Sequence, residues 1–337
     1  MQGRVVNRPR SAPIDRPGAA PLRLANVEAP QPVAPSVGDG RLCSFSVSQR
    51  RFQYMLRLCA SRLHPVSIAL LALGVVLLAG CGGNGVPEKY KDVEITPVSQ
   101  SPSIDEADVR ITYPKDGAVV EKADVDLKFD VDSFETGIQT KTPRADSLAS
   151  SEKGQHLHVI VDNKPYMACY DPSEPFDIGE LEPGVHTVIA FPSRSYHESV
   201  KGPGAYAKPG YFEGYAWTNF YVKEKKGDKM LNDDKVSIIY SRPKGTYSGD
   251  AADRILLDFY LHNVELGSYN ATYTVTTAEK GTKVASKKLT EWRPAYLTGL
   301  PSGTYDVTLE LRNPDDEVES GPFNKTTREI VVENNTG

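Results

Sequence analysis

After residue 104 the chain alternates between short apolar runs and polar, turn-rich stretches, with almost no helical periodicity. β-Branched and aromatic residues recur at alternate positions over 109–113, 125–131, 157–161, 166–170, 185–191 and 218–223. A second set follows at 236–240, 254–261, 271–276, 287–289, 305–311 and 329–332. Pro, Gly, Asn and Asp fall between the runs. A period of two predicts strands, and short strands at this spacing predict a β-sandwich.

The two sets read as an internal repeat. Ile111-Thr112-Tyr113-Pro114-Lys115-Asp116-Gly117 answers Ile238-Ile239-Tyr240-Ser241-Arg242-Pro243-Lys244-Gly245. Leu127-Lys128-Phe129 answers Leu257-Asp258-Phe259, and Phe220-Tyr221-Val222 answers Ile330-Val331-Val332. Leu181-Glu182-Pro183-Gly184-Val185-His186-Thr187-Val188 answers Leu300-Pro301-Ser302-Gly303-Thr304-Tyr305-Asp306-Val307. The offset drifts while the strands persist, as when loops diverge around a kept scaffold. A charged run over 223–234 marks the join. The L-x-x-G-x-Y-x-V stretch at 300–307 resembles the strand-entry motif of immunoglobulin-like and fibronectin type III domains. That resemblance implies a Tyr hydroxyl bonded back to the preceding backbone. The repeat places His186 where Tyr305 stands, so His186 reads as a corner residue. The expected fold class is all-β, with two tandem immunoglobulin-like β-sandwich domains over 105–225 and 233–335.

The first 54 residues hold Arg but no Lys, with seven Pro before residue 36 and no apolar period. They read as a mis-assigned start or a disordered extension. From Met55 a second pattern begins: Arg57 and Arg62, an apolar run over 66–77, then Leu78-Ala79-Gly80-Cys81. This resembles the bacterial lipoprotein signal. The resemblance implies that residues 55–80 are removed and Cys81 is acylated. The run is shorter than the roughly 20 residues a membrane span needs. Residues 81–104, rich in Gly, Pro and Ser, read as a flexible tether. The expected location is the cell envelope, with a lipid-anchored extracytoplasmic body; Gly82 after the Cys implies the outer membrane in a Gram-negative cell.

Processing changes the charge. Residues 1–80 carry ten Arg and three acids, so the rest keeps 29 of 39 basic and 41 of 44 acidic residues, a net charge of −12 against −5 for the whole chain. Such a body repels polyanions, and nucleic acid is not an expected partner. Of four Cys, Cys169 is the one thiol left in the body, so no disulfide staples the fold.

The densest polar constellation is His156-Leu157-His158-Val159-Ile160-Val161, then Asp162-Asn163-Lys164-Pro165, then Tyr166-Met167-Ala168-Cys169-Tyr170-Asp171. A hairpin centred on Asn163-Lys164 pairs His158 with Cys169, His156 with Asp171 and Ile160 with Met167. These six residues then share one sheet face. His156, His158, Cys169 and Asp171 are ligand types for a divalent metal, copper or zinc. The same two His also read as solvated or hydrogen-bonded side chains on a half-exposed strand.

The second candidate is the insertion over 192–216. It carries Arg194, Tyr196, His197, Lys201, Tyr206, Tyr211, Phe212 and Tyr215, with Trp217 beside it and glycines between the rings. Rigid aromatics on glycine hinges suit recognition of a peptide, glycan or protein. They equally suit a loop that covers the sandwich end. Residues 155–201 resemble a region shared by lipoproteins of Bacteroidota-type bacteria, some of them labelled phosphopeptide-binding; Arg194, His197 and Lys201 are the cations that could pair a phosphate.

No G-x-S-x-G, H-E-x-x-H or P-loop occurs. Cys169 near His is the one nucleophile pair on offer, without an identifiable oxyanion site. The expectation is a non-enzymatic binding or structural protein with its ligand surface on domain one, or, as the alternative, a periplasmic copper- or zinc-binding protein.

Overall fold

The computed structural model describes residues 86–104, 106–201 and 214–334. The leader, the signal segment, Cys81, Tyr206, Tyr211 and Phe212 lie outside the described residues.

Domain one begins with β2 (Asp108–Tyr113), β3 (Val119–Val120) and β4 (Asp124–Asp132). β5 (His156–Val161), β6 (Met167–Cys169), β7 (Phe176–Glu180), β8 (Gly184–Ser193) and β9 (Ala216–Val222) complete it. One sheet runs β2-β4-β7 and the other β3-β9-β8-β5-β6. Domain two repeats the plan with β10 (Ser237–Arg242), β11 (Gly245–Ser248), β12 (Arg254–His262) and β13 (Asn270–Thr277). It ends with β14 (Lys283–Leu289), β15 (Ala295–Thr298), β16 (Gly303–Arg312) and β17 (Lys325–Glu333). Its sheets run β15-β12-β10 and β11-β17-β16-β13-β14, strand for strand the same order. In both domains one short strand pairs in parallel with the last strand, and every other pairing is antiparallel. This is the immunoglobulin-like arrangement, twice. The corner residues also match: Tyr305 donates to the Pro301 carbonyl at 2.8 Å, and His186 Nε2 donates to the Glu182 carbonyl at 2.7 Å.

His186 adds a charge to its corner. Its Nδ1 lies 2.7 Å from Asp162 Oδ2, and that bond holds the imidazole pKa above its ordinary value despite partial burial. A raised folded-state pKa contributes stability that is complete below the unfolded value and is lost as pH rises through the folded one. Asp162→Asn keeps a side chain that tolerates the left-handed φ of 50°. The stability gap between wild type and this variant is expected to be widest below the ordinary imidazole pKa and to shrink as pH rises above it. Urea midpoints across that range check it; a gap that grows with pH would contradict the pairing.

The expected tether needs correction. β1 (Glu94–Pro97) pairs with β15 and extends the β10-β12-β15 sheet by one strand. Val93 and Ile95 are buried, and Tyr90 packs edge-on against Tyr305 with centroids 6.2 Å apart. The described part of 81–104 therefore begins with structure that belongs to domain two. Alternation of apolar and polar positions from 92 to 96 outweighs the surrounding Pro and Ser. Gly299 makes room for the segment: its φ is +74°, and an added Cβ would collide with the Asp92 carbonyl oxygen. Gly299→Ala is expected to lose about 2 kcal/mol and to raise amide exchange over 94–97. Exchange mass spectrometry reads both, and unchanged protection there would refute the docking.

The two sandwiches pack as one compact unit. The outer face of β5, β8 and β9 covers the outer face of β10 and β12. Ile160, Ile189, Phe191 and Tyr215 join the same apolar cluster as Ile239, Tyr260 and Trp292. A second cluster, around Leu127, Leu157, Val159 and Phe220, is domain one's own core. Strands at the seam are buried on both faces; all six residues of β5 and all six of β10 are buried. No helix among the described residues is long and apolar enough to cross a membrane.

Candidate metal centre

The β5–β6 turn decides which side chains meet. Asp162 and Asn163 both take positive φ, 50° and 59°, and Lys164 N donates to the Val161 carbonyl at 2.9 Å. This is a tight turn of the kind that closes hairpins. Pro165 has no N–H to continue the ladder. Pairing resumes one residue late, with Leu157 opposite Cys169, His158 opposite Ala168 and Val159 opposite Met167.

That register differs by one from the expected one, and a slip of one exchanges the faces. Cys169 joins Leu157 and Val159 in the domain-one core. Burial pushes its thiol up to about 11, against the reactivity a nucleophile needs. Asp171 lies beyond β6, exposed, and accepts from Ser173. The set His156, His158, Cys169, Asp171 is therefore not brought together.

A different third ligand takes their place. Past β8 the insertion folds back as a tight turn, with His197 N donating to Arg194 O at 2.8 Å and Arg194 N to Glu198 O at 3.0 Å. His197, at φ 67°, sits at its tip. One ligand nitrogen each from His156, His158 and His197 all lie within 4.8 Å of one another. His197 Nδ1 is 3.3 Å from His156 Nε2 and 3.1 Å from the Tyr166 hydroxyl. Tyr166 stacks on His158 at 3.5 Å between centroids.

Hydrogen bonding sets the lone pairs. A carbonyl only accepts, so His156 Nδ1 carries the proton it shares with Gly154 O at 2.9 Å, and its Nε2 presents a lone pair toward His197. His158 Nδ1 contacts Ser241 Oγ of domain two at 3.1 Å. Its Nε2, fully buried, has no hydrogen-bond partner among the described residues. Metal-binding imidazoles commonly anchor one nitrogen in this way and present the other. Burial drives all three toward the neutral form: His156 down to about 4, His158 and His197 well below their ordinary value. Arg242 and Lys244 push in the same direction. Neutral imidazole is the form that ligates.

The other expected contact residues are tied into the fold. Tyr196 is fully buried, its hydroxyl 2.6 Å from Ser101 Oγ and 3.0 Å from Thr142 Oγ1. Arg194 donates to the Pro102 carbonyl. Lys201, almost fully buried, pairs with Asp258 of β12 at 3.0 Å. Tyr215 bonds His262 at 2.6 Å, and Trp217 meets the same ring edge-on at 5.7 Å. Six of the eight expected contact residues are described, and none of them forms an open recognition face: Lys201, Tyr215 and Trp217 meet domain two, Arg194 and Tyr196 hold residues 101, 102 and 142, and His197 enters the histidine group. His197 carried no local signal for that role, because its partners lie 41 and 39 residues upstream.

The chain thus has an all-β fold of two immunoglobulin-like sandwiches, read from the strand order of both domains. No protein-family model and no curated protein matches it. Among solved structures it is similar to the fibronectin(III)-like modules of CbhA from Clostridium thermocellum, at 13% identity and TM-score 0.22, over 67% of this chain and 94% of that one. It is similar to the D0-D1 domain of intimin at 11% identity and TM-score 0.22, over 66% and 97%. The BSP domain of a biofilm-associated protein matches at 11% identity and TM-score 0.21, over 70% and 53%.

Proposed function

We propose that the protein is a non-enzymatic binding module of the cell envelope whose domain seam holds one transition-metal ion, copper or zinc, on His156, His158 and His197. The observation that carries this reading is the fully buried, unpartnered Nε2 of His158 beside the convergent nitrogens of two further neutral imidazoles. An orphan buried nitrogen is unfavourable in either tautomer, and with the proton on Nδ1, donated to Ser241 Oγ, a metal ion fills the Nε2 lone pair. A metal ion would do so for all three rings, and it would tie the insertion to β5. Cys169 faces the domain-one core, away from the histidines.

Purified protein equilibrated with copper or zinc and passed through a desalting column is expected to retain one equivalent per chain. Free metal at 100 times Kd is expected to stabilise the fold by about 2.7 kcal/mol. His197→Asn, which suits the positive φ, and His158→Ala are each expected to abolish both effects. A wild type that retains no metal, or variants that retain it equally, would defeat the reading.

Lipid attachment at Cys81 remains part of the proposal and is supported by the Leu78-Ala79-Gly80-Cys81 signal. Residues 82–89 reach at most about 28 Å fully extended before Tyr90 docks on domain two. Mass spectrometry of the mature N-terminus tests the anchor; an unacylated Cys81 would remove it.

A further inference from the structure

We infer that this centre selects a monovalent ion, Cu(I), over Zn²⁺ and Cu²⁺; the inference rests on the metal reading above. Three neutral imidazoles accept zinc or copper alike, so the charge of the surroundings decides between them. Those surroundings are dry and aromatic. Tyr170 lies 4.8 Å from His156 and Phe191 5.5 Å from His158, centroid to centroid. Among the described residues no carboxylate or thiolate completes the group; the convergent set holds histidine alone.

Fixed positive charge stands around it instead. Arg242, at the end of β10, is buried, and its guanidinium lies 5.9 Å from the Tyr166 ring. Lys244 Nζ sits 3.7 Å over the same ring and donates to the Tyr166 carbonyl at 2.7 Å. Arg328 donates to the carbonyl of Ser241, whose hydroxyl touches His158. Among the described residues none of these three cations has a carboxylate within 4.0 Å, although a buried charge usually has a partner. The nearby acid Asp258 is taken by Lys201 and Ser199.

Coulomb energy scales with the charge of the bound ion, so this field repels a dication twice as strongly as a monocation. With no anionic ligand in the convergent set, the difference is not offset at the bound ion itself. Zn²⁺ also seeks a fourth donor. Cu(I) needs neither an anion nor a fourth ligand.

The test is a competition for the metal alone on the purified full chain under anaerobic conditions. Cu(I) is buffered with bicinchoninate in ascorbate, and Zn²⁺ and Cu²⁺ with aminocarboxylate chelators. Cu(I) is expected to bind at least about 100-fold more tightly than either dication. Lys244→Gln removes one cation at a partly exposed position. It is expected to tighten each dication about tenfold and Cu(I) about threefold, the ratio of logarithms that follows from charge alone. Lys244→Arg is expected to change neither. Zn²⁺ or Cu²⁺ bound as tightly as Cu(I) by the wild type would overturn this inference and leave the metal centre standing. A wild type that binds none of the three ions would overturn both. The wild-type ordering decides the matter even if the Lys244 variant misfolds, and equal gains for all ions in that variant would also contradict the inference.

Discussion

Asp258→Ala is expected to lose about 3–5 kcal/mol of folding stability, close to the largest effect of a single change in this chain. Asp258 lies on β12 between Leu257 and Phe259. Those two face domain two's core, so Asp258 faces domain one. It is fully buried and accepts from Ser199 N at 3.2 Å, Ser199 Oγ at 3.0 Å and Lys201 Nζ at 3.0 Å. Alanine leaves the Lys201 ammonium buried without its counter-ion. Uncompensated charge is the expensive element, not the missing attraction. Replacing both partners by apolar residues, Lys201→Met with Asp258→Leu, is therefore expected to recover most of the loss. Urea denaturation of the four proteins reads the cycle. A single variant within 1 kcal/mol of wild type would mean that water reaches Lys201 and the seam is open there.

The second large effect concerns the seam's apolar part. Phe191→Ala is expected to destabilise by about 3–5 kcal/mol. Phe191 is fully buried on β8, and its ring stacks on Tyr260 of domain two with centroids 4.9 Å apart and planes 27° apart. Tyr215, just before β9, meets Tyr260 at the same separation. Because one apolar cluster spans both sandwiches, the wild type is expected to melt in one calorimetric transition. Phe191→Ala is expected to lower that whole transition. Two resolved transitions in the wild type would contradict a shared core, since small interfaces between domains normally permit independent motion.

Much of this architecture was legible in the chain. Twelve alternating runs correspond to twelve strands, and the two Gly-x-His and Gly-x-Tyr corners announced the repeat. The runs that escaped notice became β1, β3, β7, β11 and β15, each of two to five residues. Over so few positions a period of two cannot be told from chance. β1 was further concealed by its Pro- and Ser-rich setting.

The site was half legible. His156 and His158 stood out at alternate positions, and alternation does place them on one face. The choice of face for Cys169 depended on a one-residue register, and Pro165 moved it. Periodicity could not show that both faces of β5 are buried, because a strand covered on both sides reads as a continuous apolar run. His156 and His158 appeared half-exposed for that reason. The third ligand, His197, and the partner Ser241 arrive through tertiary packing alone. The insertion's aromatics suit an open face and a covering loop alike for the same reason: no local pattern distinguishes a ring that greets a ligand from one that meets a second domain.

The most direct test of the metal centre is anomalous X-ray diffraction from crystals of the metal-loaded protein, collected on both sides of the copper or zinc edge. The account predicts a single strong anomalous peak about 2.0–2.1 Å from one ring nitrogen each of His156, His158 and His197. A peak bound elsewhere, or loaded crystals with no peak among these three rings, would contradict it.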